Sequence, residues 1–485
     1  MNLKKLNIGI LHSIMGKNDG VSIVIDQTIE SMQKHMGISL DNIFLLSALA
    51  PARMNKTEHT IFWHKNNNNK YILQYFDKEP PDDYEAVIEA SVETAIEYIS
   101  SFVKTNDIDL FIVHNACHPA NFIYAVAVGK YFKKLKQSGR ILPRYLLWWH
   151  DSYLERPRFA HPNDVIRKYL EFLPGASVDG VVFINTAQQE VAKKLFSGYW
   201  NDPKKTDLFF KRKTAVIPNL VHITWNWQRQ IADHTTMPFP PEDDFNSDFF
   251  DTIGLTRELE KQDKTVYECD FLLQHTRIVP RKRIDIAIEF AFLLQKYCLA
   301  RGEDRATALI ISGHSGDEDD TTVQNLKKKE REMCAACPEL RGRVIVLFAE
   351  RFIFPEREII VDRKLYRFRD IPAIIAKWSG IGTYFSEIEG FGNNLLEMVS
   401  SGLPAVINQY PVYKKDLKPL GFKFFSIENA KLNNDIIRHA HSLLRDKKLR
   451  RNYVIHNIQT ASKKLSHNRI VSRLKPLINN LFNFE

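Results

Sequence analysis

Short runs of continuous apolar residues alternate with longer stretches of helical periodicity, and they do so in two separate blocks. In the first block the runs fall at residues 7–11, 43–46, 110–114, 145–150, 180–184 and 215–217, with helical patterns at 21–36, 83–103, 120–136 and 186–196. In the second they fall at 271–275, 308–312, 344–348, 382–385 and 405–407, with helical patterns at 284–300, 321–336, 371–377 and 394–401. Strands that are apolar throughout are buried on both faces, which implies parallel sheets covered by helices. Two such blocks predict two Rossmann-like, doubly wound α/β domains, at residues 1–218 and 269–465. Residues 219–268, rich in Pro, Asp and polar residues and containing Pro238-Phe239-Pro240-Pro241, read as an interdomain linker with some local helix. The pattern from 436 to 482 is helical, and 466–485 reads as a C-terminal helix. Open parallel sheets bind ligands at their carboxyl ends, so two in tandem are expected to face a central cleft.

The chain is long enough for several cores: 485 residues, 44% hydrophobic and 26% charged. A net charge of +9 suits acidic partners such as nucleotides or anionic lipid. Nucleic acid is not favoured, because the basic residues are dispersed and no recognition module is present. Five scattered cysteines argue against a disulfide framework and for a reducing compartment. Cys334 and Cys337 form a single CxxC without the second pair that a zinc site wants. No apolar run reaches the length of a membrane span, and the amino terminus reads as a first buried strand, so the expected location is cytoplasmic.

The motifs fall at the carboxyl ends of the expected strands. Ser386 to Glu397 reads as a strand end, a glycine turn (Gly390-Phe391-Gly392-Asn393-Asn394-Leu395) and a helix start. Glu389 and Glu397 flank that turn with seven residues between them. A helix start offers backbone N–H groups and the positive end of a dipole to an anion such as phosphate. Ionised carboxylates only accept hydrogen bonds, which suits hydroxyl groups. Phosphate beside several hydroxyls describes a nucleotide sugar. Arg277 and Lys282 follow the strand at 271–275 and supply the cations such a ligand needs, a guanidinium and an ammonium. His150 ends a first-block strand and has the chemistry to hydrogen-bond a sugar hydroxyl. Gly16 to Ser22, with Gly20, forms a polar loop between the first strand and helix that lets backbone approach a ligand.

Other patterns have duller readings. Asn394 and Glu397 have the spacing of a helix capping box. Asp107-Ile108-Asp109 precedes a strand and reads as a loop rather than a metal site, and Asp317–Asp320 as a solvated loop. Residues 66–69, four asparagines, read as a loop tip. Lysines around Phe209-Phe210 and at 133–136 allow peripheral contact with an anionic membrane face.

Taken together, these segments resemble glycosyltransferase family 4, of GT-B fold. The resemblance is strongest from 271 to 412 and rests on the two glutamates at 389 and 397, Arg277 and Lys282, Gly402-Leu403-Pro404 and Val216-Ile217-Pro218-Asn219. It implies a retaining, metal-independent hexosyltransferase without a cofactor, using a UDP or GDP sugar as co-substrate. Arg277 and Lys282 would hold the donor diphosphate. The N–H groups of Phe391 to Leu395 would hold sugar hydroxyls and the β-phosphate. Glu389 would lie by the sugar, Glu397 would accept from the ribose, and His150 would lie near the transferred sugar. The Gly20 loop would close on the donor, although Asp19-Gly20 stands where the family shows paired glycines. Residues 352–369 look like an insertion, and the last helix would cross back to the first domain. The acceptor would be a small glycoside, a polysaccharide or a lipid-linked sugar. Leu273 to Arg277 and Ser315 to Glu318 resemble the branch that makes small glycosides of the mannosylglucosylglycerate kind. The alternatives are a nucleotide-sugar epimerase or sugar phosphorylase on the same fold, or a non-catalytic nucleotide-binding protein.

Overall fold

The computed structural model describes residues 3–17, 19–52, 54–232, 237–241, 243–315, 321–360 and 363–483. The chain divides into two compact units, one made of Met1–Leu220 with His467–Glu485, the other of Val221–Ser466.

The first unit is built on a seven-stranded parallel sheet. Its strands are β1 (Ile8–Leu11), β2 (Ile43–Ser47), β3 (Asn55–Glu58), β4 (Leu110–His114), β5 (Arg144–Trp149), β6 (Gly180–Phe183) and β7 (Thr214–Val216), in the order β3-β2-β1-β4-β5-β6-β7. The central strands β1, β4 and β6 are buried at every residue, which is why they read as unbroken apolar runs. The exception is β3, a polar edge strand of sequence Asn-Lys-Thr-Glu, which carries no hydrophobic signal. Helices Gly20–Met36, Tyr84–Thr105 and Phe122–Gln137 supply the cover. The core runs from Ile88, Val92, Ile99 and Phe102 through Phe111 and Val113 to Tyr145, Leu147 and Phe183.

The second unit holds a six-stranded parallel sheet: β8 (Cys269–Gln274), β9 (Ala306–Ile311), β10 (Val344–Phe348), β14 (Ile381–Tyr384), β15 (Ala405–Asn408) and β16 (Phe425–Ile427), ordered β10-β9-β8-β14-β15-β16. A small separate sheet intervenes, made of β11 (Ile353–Phe354), β12 (Glu358–Ile360) and β13 (Arg363–Arg367), with β13 in the middle. It occupies most of the stretch that looks like an insertion. Helix Ile284–Ala300 packs its Ile288, Phe290, Ala291 and Leu294 into the core with Leu309, Ile311 and Phe385.

Three readings are corrected. The stretch at 221–268 counts with the second unit: Phe250 stacks on Phe271 of β8, 4.7 Å between ring centres, and the Trp225 indole donates to the Ser400 carbonyl at 2.7 Å. The asparagines at 66–69 are not a loop tip, since Asn66 caps helix Asn67–Gln74 and the buried Asn69 donates to the carbonyls of His64 and Ala120. Asn394 and Glu397 form no capping box, because helix Asn393–Ser400 begins at Gly392 with no side-chain cap. Asp317–Asp320 lies outside the described residues.

The final helix, His467–Phe482, packs with the first unit. Its Ile470, Leu474, Leu477, Ile478 and Leu481 are buried, one apolar stripe at helical spacing. At its start the His467 imidazole meets the Ser31 hydroxyl at 2.8 Å, and near its end the Asn480 amide donates to the Arg212 carbonyl at 3.0 Å. Among the described residues no helix is long and apolar enough to cross a membrane.

Candidate functional site

In the second sheet β8 lies between β9 and β14, so the chain leaves β8 towards one side and β14 towards the other. Such a reversal opens a crevice at the strands' carboxyl ends. The segment after β8 carries Arg277 and Lys282. The segment after β14 carries Glu389, the glycine turn and, on the following helix, Glu397. Two buried threonines and an amide tie the strand ends together: Gln274 donates to Thr276 Oγ1 at 2.8 Å and accepts from Thr383 Oγ1 at 2.8 Å. The loops then clasp one another. The Arg281 guanidinium donates to the Ile388 carbonyl at 2.8 Å, and the Glu387 N–H donates to the Arg281 carbonyl at 3.0 Å.

Lys282 and Glu389 meet in a direct, buried ion pair, their side chains only 6% and 8% exposed. The Tyr384 hydroxyl donates to the same carboxylate oxygen at 2.7 Å, and Arg281 stands 3.7 Å from the other. Burial works to raise the Glu389 pKa, but Lys282, Tyr384 and Ser386 outweigh it and hold the carboxyl below its usual range. Burial pulls the Lys282 ammonium below its usual value; Glu389 opposes this, while Arg281 and Arg277 reinforce it. Arg277 is exposed, yet its charge is felt at Lys282, so the two cations share one neighbourhood.

Helix Asn393–Ser400 starts at a left-handed residue, Gly392, with φ of +105°. Only glycine takes that conformation without strain. Gly392, the residue before the first turn, has no side chain to cap it, and the N–H groups of that turn are the ones a helix cannot satisfy internally. Phe391 and Leu395 are buried beneath the turn, and Asn393 and Asn394 are half-buried. Gly390 lies exposed at the loop's crest.

Glu397 looks across to β8. Its Oε2 accepts from the His275 imidazole at 3.1 Å, and His275 also meets the Ser312 hydroxyl at 2.9 Å. The ring stacks on Phe368, centres 3.9 Å apart. None of His275, Ser312 and Phe368 stood out in the sequence as a site residue. A close approach behind them depends on Gly313, where a Cβ would come within 1.8 Å of the Thr276 carbonyl oxygen.

The first unit has a polar patch of its own where β1, β4 and β5 end. His150 follows β5, and its Nε2 pairs with His114 Nδ1 at 2.9 Å. His12 follows β1 and pairs with the Tyr124 hydroxyl at 3.3 Å. Burial, with a smaller push from His12, lowers the His150 pKa to about 3. Burial takes His12 to about 4 against the pull of Asp19. These are neutral imidazoles at ordinary pH, suited to hydroxyl groups rather than to anions. Gly20 opens helix Gly20–Met36, and Asp19 caps it by accepting from the N–H groups of Val21 and Ser22, each at 3.0 Å.

Two other features of the second unit stand apart from this chemistry. A cavity of about 530 Å³ is lined by Arg281, Arg283, Thr322 and Glu387 but by none of Arg277, Lys282, Glu389 and Glu397. Cys298, Glu303 and His441 bring potential metal ligands within 4.8 Å of one another. Arg445 already serves them as the cation, donating to Glu303 at 2.7 Å and to Asp270 at 2.6 Å, with Cys298 Sγ at 3.9 Å.

No family model matches the chain. A mannosylglucosylglycerate synthase from Petrotoga mobilis is 27% identical over 440 residues, 87% of this chain and 86% of that protein. One from Thermotoga maritima is 29% identical over 217 residues, 41% of this chain and 46% of that protein. Among solved structures, a UDP-forming α,α-trehalose-phosphate synthase from Burkholderia xenovorans aligns with a TM-score of 0.58 at 11% identity, covering 98% of this chain and 99% of that one. Anabaena HepE, in complex with UDP and glucose, aligns at 0.55 and 14% identity, covering 98% and 99%. WaaG, a glycosyltransferase involved in lipopolysaccharide biosynthesis, aligns at 0.51 and 10%, covering 96% and 99%. The likeness to these structures is one of fold: two Rossmann-like domains and a helical C-terminal region, as in GT-B glycosyltransferases.

Proposed function

We propose that the chain is a glycosyltransferase that moves a hexose from a nucleoside diphosphate sugar, UDP- or GDP-linked, to a hydroxyl acceptor with retention of configuration. The observation that carries this reading is the meeting, at the β8/β14 switch point, of a cationic loop with a glycine turn and a helix start that follows Gly392, flanked by Glu389 and Glu397. The long match to mannosylglucosylglycerate synthases supports mannose as the hexose and a small glycoside as the acceptor.

In this reading Arg277 binds the diphosphate, and the N–H groups from Phe391 to Leu395 receive the β-phosphate and sugar hydroxyls. Lys282 adds charge and fixes Glu389 beside the sugar. The bond from sugar C1 to the phosphate oxygen breaks, and its electron pair leaves with the diphosphate. Cation and helix dipole stabilise that growing charge most in the transition state. The acceptor oxygen bonds to C1 from the face the phosphate leaves, and its proton passes to a phosphate oxygen. The side chains neutralise the diphosphate, so no metal and no cofactor is required. In the first unit His150, a neutral imidazole, has the chemistry to hydrogen-bond a sugar hydroxyl, and the Asp19-Gly20 loop lets backbone approach a ligand.

A melting panel with UDP, GDP, ADP and their sugars finds the donor, since a ligand bound only by the folded state raises the melting temperature. Product analysis with free glycosides as acceptors then distinguishes transfer from epimerisation or phosphorolysis. Arg277→Ala is expected to lower the transfer rate about 10²–10³-fold with the melting temperature unchanged. Wild-type turnover by that variant would overturn the assignment of Arg277.

A further inference from the structure

Glu397 shows an asymmetry between its two oxygens. Oε2 is held by His275, whereas Oε1 accepts no hydrogen bond among the described residues. The Glu397 side chain is 30% exposed while that of His275 is 0% exposed, so one carboxylate oxygen faces inward and the group keeps an open side. Because an ionised carboxylate only accepts, His275 Nε2 must carry the proton in this bond. Nδ1 is met by the Ser312 hydroxyl, and both ring nitrogens are therefore partnered. The ring plane is set by Phe368, nearly parallel at 16°. An imidazole buried at a strand end serves packing no better than leucine would, and it costs free energy unless both nitrogens are satisfied. Here they are satisfied by one group of the candidate site and one group behind it.

We propose that His275 is a positioning residue: it immobilises one oxygen of Glu397 so that the other is aimed at the ribose hydroxyls of the donor nucleoside, with Phe368 fixing the plane of the imidazole. This rests on the donor reading above, in which Glu397 accepts from ribose. A carboxylate held at one oxygen loses its rotational freedom before the ligand arrives, so less ordering is charged to binding. Phe368 follows directly on β13, so the small inserted sheet gains a role, that of holding the ring that holds the histidine.

The test is nucleotide binding by calorimetry, with UDP and GDP and the 2′-deoxy and 3′-deoxy forms of whichever binds. The wild type should prefer the ribonucleotide over a deoxy form by about tenfold or more, the scale of a hydrogen bond to a charged group. His275→Ala should weaken ribonucleotide binding about tenfold and leave the deoxynucleotide unchanged, so that the preference disappears. His275→Gln, whose amide can still donate towards Glu397, should keep part of it, and Phe368→Ala should reduce it. General damage to the fold weakens ribo and deoxy forms alike, so the ratio reports positioning alone. If His275→Ala fails to fold, the glutamine and Phe368 variants still decide the matter. Folded variants with the wild-type ratio would overturn the proposal. A wild type that binds nucleotide without ribose preference would overturn it too, while leaving the diphosphate grip standing. A wild type that binds no nucleotide would overturn the donor reading and this inference together.

Discussion

A Cβ at position 392 would lie 2.2 Å from the Tyr410 hydroxyl, which is buried and donates to the Phe391 carbonyl at 3.0 Å. Gly392→Ala therefore faces two costs, the clash and a φ of +105°. The backbone share alone is about 1–3 kcal/mol. Denaturant midpoints should show Gly392→Ala destabilised and Gly392→Ala/Tyr410→Phe partly recovered, since the second change removes the clash and not the strain. The Lys282–Glu389 pair makes a second case. Lys282→Met strands a buried carboxylate and should cost about 3–5 kcal/mol. Lys282→Met/Glu389→Gln should recover most of that. Glu389 also fixes a pH dependence. Its folded pKa is held below the ordinary carboxyl value, so its contribution is complete above that value and is lost as pH falls through the lower, folded one. Acid titration of stability should therefore be shallower for Glu389→Gln. Both partners were legible in the sequence as site candidates, but their pairing was not, because they are 107 residues apart. His275 was not legible at all, since its signal is a contact with Glu397 across 122 residues.

At the level of elements, what the sequence made readable follows burial. Strands buried on both faces, such as β4 and β9, are apolar at nearly every position, and they were read directly. The edge strand β3 is polar because one side of it has no neighbour, and it left no trace in the hydrophobic pattern. Helix Asn67–Gln74 was hidden by composition. Asparagine favours caps and turns, yet here Asn66 is the cap and Asn69 is held by two carbonyls from outside the helix. The stripe on His467–Phe482 was readable, and its weight is testable. Leu474→Ala empties a fully buried site and should cost about 2–5 kcal/mol by chemical denaturation. An exposed position on the same helix, Lys475→Ala, should change little.

Across the whole molecule the two units differ in how the chain is spent on them. The second is one continuous stretch, Val221–Ser466, whereas the first is interrupted and takes back residues after 466. During synthesis the sheet that forms from the earliest residues must therefore wait for its last covering helix until the other unit has been translated in full. Until then the helix at 20–36 lacks the partner that its Ser31 will meet in His467. A released chain ending at residue 466 should therefore carry a complete second unit and a first one that is still open to proteases and chaperones.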